Sequence, residues 1–311
     1  MTRLHCYAVF GERLASAIPL PELDEIPAGP AQWTVTESAQ LPAMRDARVL
    51  GDDLLYDDVH ARLHAHAEGH RIDVDDTGSF DISLDRKRIS VQARPGAWDD
   101  FLRAHLTGRV LATTLFLDGM LPLHASAVIT RDGVIGFLAP KGYGKSTLAL
   151  ALTAAGAWLV SDDTLAVDPA RGLARPGVHG LRVNDDALGA VGIGDARMRT
   201  REGKHVVTEL GAERIFARET PLAALYLLVP LEPTATAVDR SPLPPALAAI
   251  SIVAHVKIGR MLGASEAPAM LARGAEVARR VPTFQLGVPR DLATLSATAR
   301  TILAWHGTPE P

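Results

Sequence analysis

The chain has 311 residues, 47% of them hydrophobic, enough for one large folded domain or two moderate ones with a real core. A formal net charge of −4 at pH 7 removes bulk attraction to nucleic acid or to an anionic membrane surface as a basis for function. The single cysteine, Cys6, excludes an internal disulfide and a cysteine metal cage, which fits a reducing, cytoplasmic setting. Glu12 and Arg13 interrupt the apolar run that a signal peptide needs. The longest apolar stretches, Leu222 to Leu231 and Ala246 to Val256, fall short of the roughly 20 residues of a spanning helix, so no membrane segment is expected.

Residues 1–95 are dominated by alternation at period two, which predicts a β-rich N-terminal domain. Inside it, the stretch from Ala61 to Ala93 reads as a meander of hairpins broken at Asp76-Thr77-Gly78 and at Asp85-Arg86-Lys87. His60, His64, His66 and His70 resemble a metal cluster at first sight. Alternation sets His64 and His66 opposite Leu63, Ala65 and Ala67, a solvent-face pattern, and no metal is assigned there.

Trp98 to Leu117 carries helical spacing, and Pro95 marks the start of a second domain, 96–311. A strand follows from Leu123 to Ile129, a turn at Arg131-Asp132-Gly133, and a strand from Val134 to Ala139. Ser146 to Ala155 reads as a buried helix closed by Gly156, and Ala157 to Val160 as a short buried strand. Further on, "PLAALYLLVPL" predicts a strand, "PPALAAISIVAHVKIGRML" and "EAPAMLARGAEVARRV" helices, "TFQLGVP" a strand and "PRDLATLSATARTILAWH" a terminal helix. The sum is an α/β domain with a mixed sheet, free of internal repeats.

Ala139 to Ser146, "APKGYGKS", matches the phosphate-loop pattern except at its first position, where alanine stands for the usual glycine. Such a loop needs a strand that ends abruptly, backbone N–H groups curled round phosphate oxygens, and a helix N-terminus aimed at the same anion; all three are predicted here. Gly142 and Gly144 let the backbone take positive φ and approach phosphate closely, Lys145 reaches the β- and γ-phosphates, and Ser146 places its hydroxyl on Mg²⁺. Thr147 offers a second hydroxyl, and the side chains of Lys141 and Tyr143 stand within the loop, beside phosphate or acceptor.

Asp162 and Asp163 follow the next strand, 17 and 18 residues after Lys145. One carboxylate there suffices for Mg²⁺; a second has a separate use, orienting or deprotonating a hydroxyl acceptor. His124 is a strand histidine whose role spacing does not settle. Arg197, Arg199, Arg201, Lys204 and His205 form a basic stretch, in which Lys204 is the preferred phosphate contact because it leads into "HVVTEL". The one asparagine, Asn184, precedes an aspartate, so the Asn-Lys-x-Asp string that reads guanine is missing and ATP is the expected nucleotide.

The array "LPLHASAVI", "APKGYGKSTLAL" and "LVSDD", in this order and spacing, resembles the catalytic domain of the HPr serine kinase/phosphorylase family, whose phosphate loop sits on a fold related to phosphoenolpyruvate carboxykinase. The resemblance covers about Leu121 to Asp163 well and the rest loosely. It implies that Asp163 is the general base towards an acceptor serine, that His124 is an active-site residue, that Lys145 and Ser146 bind phosphate and Mg²⁺, and that Asp162 lies near the metal. The family's downstream glutamate is missing from "RPGVHGLRVNDDALG", where Asp185 or Asp186 stands as a substitute, and its later Gly-Arg-Asn loop is not visible. "YAVFGERLASAIPLPEL" and "RPGVHGLRV" look more like the HPr-kinase-related proteins that phosphorylate a serine of ribosomal precursor peptides, lasso peptide precursors among them. The resemblance therefore implies a serine kinase using ATP and Mg²⁺, with a peptide or small protein as partner and its oligomeric state open.

Overall fold

The computed structural model describes residues 4–178, 180–191, 198–199, 205–207, 218–231, 235 and 237–309. The fold is mixed α/β, and the chain divides into two compact units, Met1–Met120 with Lys257–Met270, and Leu121–Val256 with Leu271–Pro311.

In the first unit nine strands form one sheet: β1 (His5–Val9), β2 (Glu12–Ser16), β3 (Asp24–Glu25), β4 (Trp33–Glu37), β5 (Arg48–Tyr56), β6 (Val59–His66), β7 (Gly69–Val74), β8 (Gly78–Ser83) and β9 (Arg88–Ala93). Their order is β3-β1-β2-β4-β9-β8-β7-β6-β5, so β6 to β9 are the meander that the turn residues predict, and β5 extends it by one more strand. Alternation places Leu63, Ile72, Phe80, Ile82, Ile89 and Val91 on the buried face, with Trp33 and Val35 beside them. The helical stretch after Pro95 belongs to this unit: α1 (Asp99–His105), a π-helical turn at Leu106–Val110, and α2 (Leu111–Leu117).

The other face of the meander corrects one expectation. His60, Arg62, His64 and His66 of β6 meet carboxylates of β5, β7, β8 and the turn after β7: His60 Nδ1 lies 2.7 Å from Asp52, Arg62 2.6 Å from Asp75, His64 3.2 Å from Asp73 and His66 3.2 Å from Asp81. The His66 side chain is only 2% exposed. The period was read correctly but the solvent was not, because cross-strand ion pairs and a long neighbouring arginine, Arg71, cover this face.

The second unit contains β10 (Leu121–Leu123), β11 (Ala125–Thr130), β12 (Gly133–Leu138), α3 (Lys145–Ala154), β13 (Trp158–Ser161), β14 (Leu165–Asp168), β15 (Leu173–Arg175), β16 (Leu181–Val183), α4 (Asp185–Val191), β17 (Met198–Arg199), β18 (His205–Val207), β19 (Thr220–Pro230), β20 (Asp239–Pro242), α5 (Pro245–Ala254), β21 (Thr283–Val288) and α7 (Leu295–His306). Helix α6 (Gly259–Arg280), interrupted at Gly263 with φ 64°, runs from the residues of the first unit into those of the second. The principal sheet runs β10-β14-β15-β19-β12-β11-β13, with β21 on β19 and β20 on β21. Within it β12, β19 and β21 are parallel neighbours, and their near-continuous apolar runs reflect burial on both faces. Phe137, Tyr226 and Leu286 of these strands pack with Leu148 and Leu152 of α3 and Ile302 of α7 to form the core.

Two elements differ from their sequence pattern. The strand expected from Leu123 to Ile129 is divided at His124, with β10 paired to β14 and β11 to β12 and β13. The helix expected through "SIVAHVKIG" breaks after Ala254 because His255 and Val256 turn to strand partners: His255 O accepts from the His124 N–H at 2.7 Å, and Val256 bridges to Leu123. Helical pattern alone does not register such bonds.

Candidate active site

Strand β12 ends at Leu138 and helix α3 begins at Lys145, so the loop between them is the predicted phosphate loop. Gly142 and Gly144 have φ of 89° and 86°, and a Cβ built at either meets nothing within 4 Å. Glycine is required at both for backbone conformation, and the space beside them stays open. No side chain caps α3 at Gly144, which leaves the first N–H groups of the helix to an anion. Lys145 is 7% exposed; its Nζ donates to Ala139 O at 2.8 Å and Pro140 O at 3.2 Å, drawing the loop around its own ammonium.

The carboxylates are set by a different device. Leu123 pairs with Leu165, and the same antiparallel register resumes where Ala127 pairs with Ser161, so β10–β11 and β13–β14 form one ribbon with a gap in its pairing. Within the gap, Ser126 stands opposite Asp162 and His124 opposite Thr164, next to Asp163. Asp162 and Asp163 therefore face His124 and Ser126 across a short unpaired window, on two strands held in register at both ends.

Asp162 is 3% exposed, and three donors hold its carboxylate. Oδ1 accepts from Ser126 Oγ at 2.5 Å and from Ser146 Oγ at 2.9 Å, while Oδ2 accepts from the Arg182 backbone N–H at 3.1 Å. The ribbon and the first turn of α3 thus present a serine hydroxyl against a carboxylate, adjoining hard oxygens of the kind that Mg²⁺ takes. Asp185 and Asp186, the candidate substitutes for a missing glutamate, lie exposed in the first turn of α4. The stretch "RPGVHGLRVNDDALG" contributes the Arg182 N–H instead of a glutamate.

Asp163 has φ 72°, a left-handed conformation that few residues other than glycine adopt. The Thr164 N–H donates to Asp162 O at 2.9 Å, closing a three-residue turn with Asp163 at its centre. The turn sends the two adjacent side chains to different partners, a local strain of the sort found at functional sites. Asp163 Oδ1 lies 3.3 Å from His124 Nδ1, and its side chain is 32% exposed.

His124 joins the two halves. Its Nε2 lies 3.1 Å from Lys145 Nζ, and its Nδ1 lies 3.2 Å from Asp163 O as well as close to the carboxylate. One tautomer satisfies both sides, with the proton on Nδ1 donated towards Asp163 and the Nε2 lone pair accepting from the ammonium. His255, whose carbonyl holds the His124 N–H, is pushed below the usual histidine range by burial, against the opposing hydrogen bond to Ser251 O, with the nearby charge of Lys145 adding to the fall.

Lys145, Ser146, His124, Asp162 and Asp163 therefore form one connected network, while Lys141 and Tyr143 are exposed on the loop and Thr147 follows on α3. Of the basic stretch, Arg197, Arg201 and Lys204 lie outside the described residues, while Arg199 and His205 are described in their backbone, on β17 and β18. Sequence reasoning missed Ser126, the Arg182 N–H and His255. The first had a signal, as a polar residue flanked by Ala125 and Ala127 on a buried strand. Among the described residues no group of three or more His, Cys, Asp or Glu gathers as a metal centre, and no helix is long and apolar enough to cross a membrane.

No protein-family model matches the chain, and no curated protein does. Among solved structures it is similar to the Hpr(Ser) kinase/phosphatase from Coxiella burnetii, at 14% sequence identity and a TM-score of 0.30, over 59% of this chain and 97% of that one.

Proposed function

We propose that the chain is a phosphotransferase that moves the γ-phosphate of ATP, with Mg²⁺, to a serine hydroxyl of a peptide or protein. The observation that carries the reading is the bridge through His124, which sets a partly exposed carboxylate, Asp163, one imidazole ring away from the ammonium of the phosphate loop.

Lys141 to Thr147 make the nucleotide-contacting stretch in this reading, with Lys204 a further phosphate contact. Lys145 and the uncapped start of α3 neutralise charge on the transferring group. Ser146 and Asp162 would hold Mg²⁺, which would supply charge neutralisation for the phosphates. The acceptor hydroxyl gives its proton to Asp163 as its oxygen bonds to the γ-phosphorus and the bond to the departing ADP oxygen breaks. His124 keeps the carboxylate turned to that task and separates it from the Lys145 ammonium, with which it would otherwise form an unproductive ion pair.

For the acceptor, the stretches around "YAVFGERLASAIPLPEL" favour a ribosomal precursor peptide of the lasso type carrying a terminal serine. The experiment is incubation with Mg²⁺·ATP and serine-ending peptides, with mass spectrometry for one added phosphate. Phosphate appearing on an HPr-type carrier protein, on a small molecule or only in solution would replace the peptide reading with that of a carrier-protein kinase, a small-molecule kinase or an ATPase.

A further inference from the structure

Outside the network just described, one basic side chain is held against the phosphate loop. The Arg290 guanidinium lies 5.8 Å from the centre of the Tyr143 ring, and Tyr143 stands between Gly142 and Gly144 in the loop. We infer that Arg290 is a phosphate-binding residue of this site and that Tyr143 is the positioning residue that holds it there.

Topology brings the two together. β12, β19 and β21 are parallel neighbours, so their carboxyl ends share one edge of the sheet. The phosphate loop leaves β12 at that edge, and Arg290 follows the end of β21 at Val288 by two residues. Ligands of open α/β sheets bind beyond the carboxyl ends of the strands. Sequence separation hides the relationship completely.

Charge and exposure point the same way. Arg290 is exposed, and among the described residues no carboxylate forms an ion pair with it. The neighbouring Asp291 is committed elsewhere, accepting from the Ala293 N–H at 2.9 Å to cap the turn before α7. Tyr143 is an exposed aromatic, 45% accessible, and its ring is the surface on which the guanidinium rests. An arginine with its charge unspent, fixed beside a loop whose backbone is shaped for phosphate, has the planar five-donor fork that suits phosphate oxygens. The close approach to Tyr143 leaves no room for a base between ring and guanidinium, which favours phosphate over adenine as the group contacted.

The inference rests on the nucleotide reading above, and the experiment separates the two. Calorimetric titration of the full chain with Mg²⁺·ATP, and separately with inorganic tripolyphosphate, is compared for the wild type, Arg290→Ala, Arg290→Gln, Tyr143→Ala and the Arg290→Ala/Tyr143→Ala pair. Both arginine variants should weaken both ligands by about tenfold or more and flatten the dependence on salt. Tyr143→Ala should cost less and add little to Arg290→Ala, because it acts through the arginine. Unchanged binding of both ligands in the arginine variants overturns the inference, as does a loss confined to ATP, which would assign Arg290 to the base or sugar. Full additivity of the pair overturns the role given to Tyr143. A wild-type chain that binds neither ligand removes the nucleotide site itself.

Discussion

Ser126 and Asp162 face each other across the unpaired window, hydroxyl to carboxylate at 2.5 Å, with both side chains buried. Ser126→Ala takes one donor from a buried charge that still needs it, so a loss of about 1–3 kcal/mol in stability is expected. A higher Mg²⁺ requirement for phosphate transfer should accompany it, since Asp162 is then free to shift relative to Ser146. Denaturant unfolding and a Mg²⁺ titration of the activity read the two effects. A variant with both unchanged would show that the contact does not position the carboxylate.

Asp163→Asn keeps the shape of the turn and the contact with His124 but removes the proton acceptor. Phosphate transfer should fall by about 10² to 10⁴, while ATP affinity stays near that of the wild type. Loss of binding in step with loss of transfer would count against the role given to Asp163.

Lys145→Ala and His124→Ala are expected to separate. The lysine variant loses nucleotide affinity and transfer together, because its ammonium is the charge nearest the loop carbonyls Ala139 O and Pro140 O. The histidine variant should lose transfer by about 10²-fold, the scale of a misplaced reacting group, with a smaller effect on affinity. Single-turnover kinetics beside equilibrium binding distinguishes them.

Mild acid should weaken the fold. Burial holds His70, His255 and His306 below the ordinary histidine value of 6.5. As pH falls from about 6.5, the unfolded chain takes up protons that the folded chain refuses. Stability is therefore complete above that pH and declines below it, levelling off beneath the folded values. The urea midpoint at about pH 5.5 should lie below that at about pH 7.5. Equal midpoints would mean that these rings are not buried in solution as described.

The loop could be read from the sequence because everything it needs is local: a strand end, two glycines and an apolar helix within a few residues. The strands β12, β13, β19 and β21 were legible for the same reason, their apolar runs being set by burial of nearby faces. The window was not, since the alignment of Ser126 with Asp162 depends on pairing between segments 36 residues apart in the chain. The break after Ala254 and the burial of His66 escaped for a related cause, as each is imposed by a partner distant in sequence. The contact of Arg290 with Tyr143 needs the order of three parallel strands to be known beforehand.

The ribbon has a mechanical corollary. His124 and Asp163 are borne by strands clamped together on either side of the gap, whereas Lys145 heads a helix that is not part of that clamp. If the loop shifts as it closes on a triphosphate, the lysine travels with it and the acid and its imidazole stay put. Gripping the donor and readying the acceptor are thereby assigned to separate pieces of backbone, linked through one nitrogen of a histidine ring and the Ser146–Asp162 hydrogen bond.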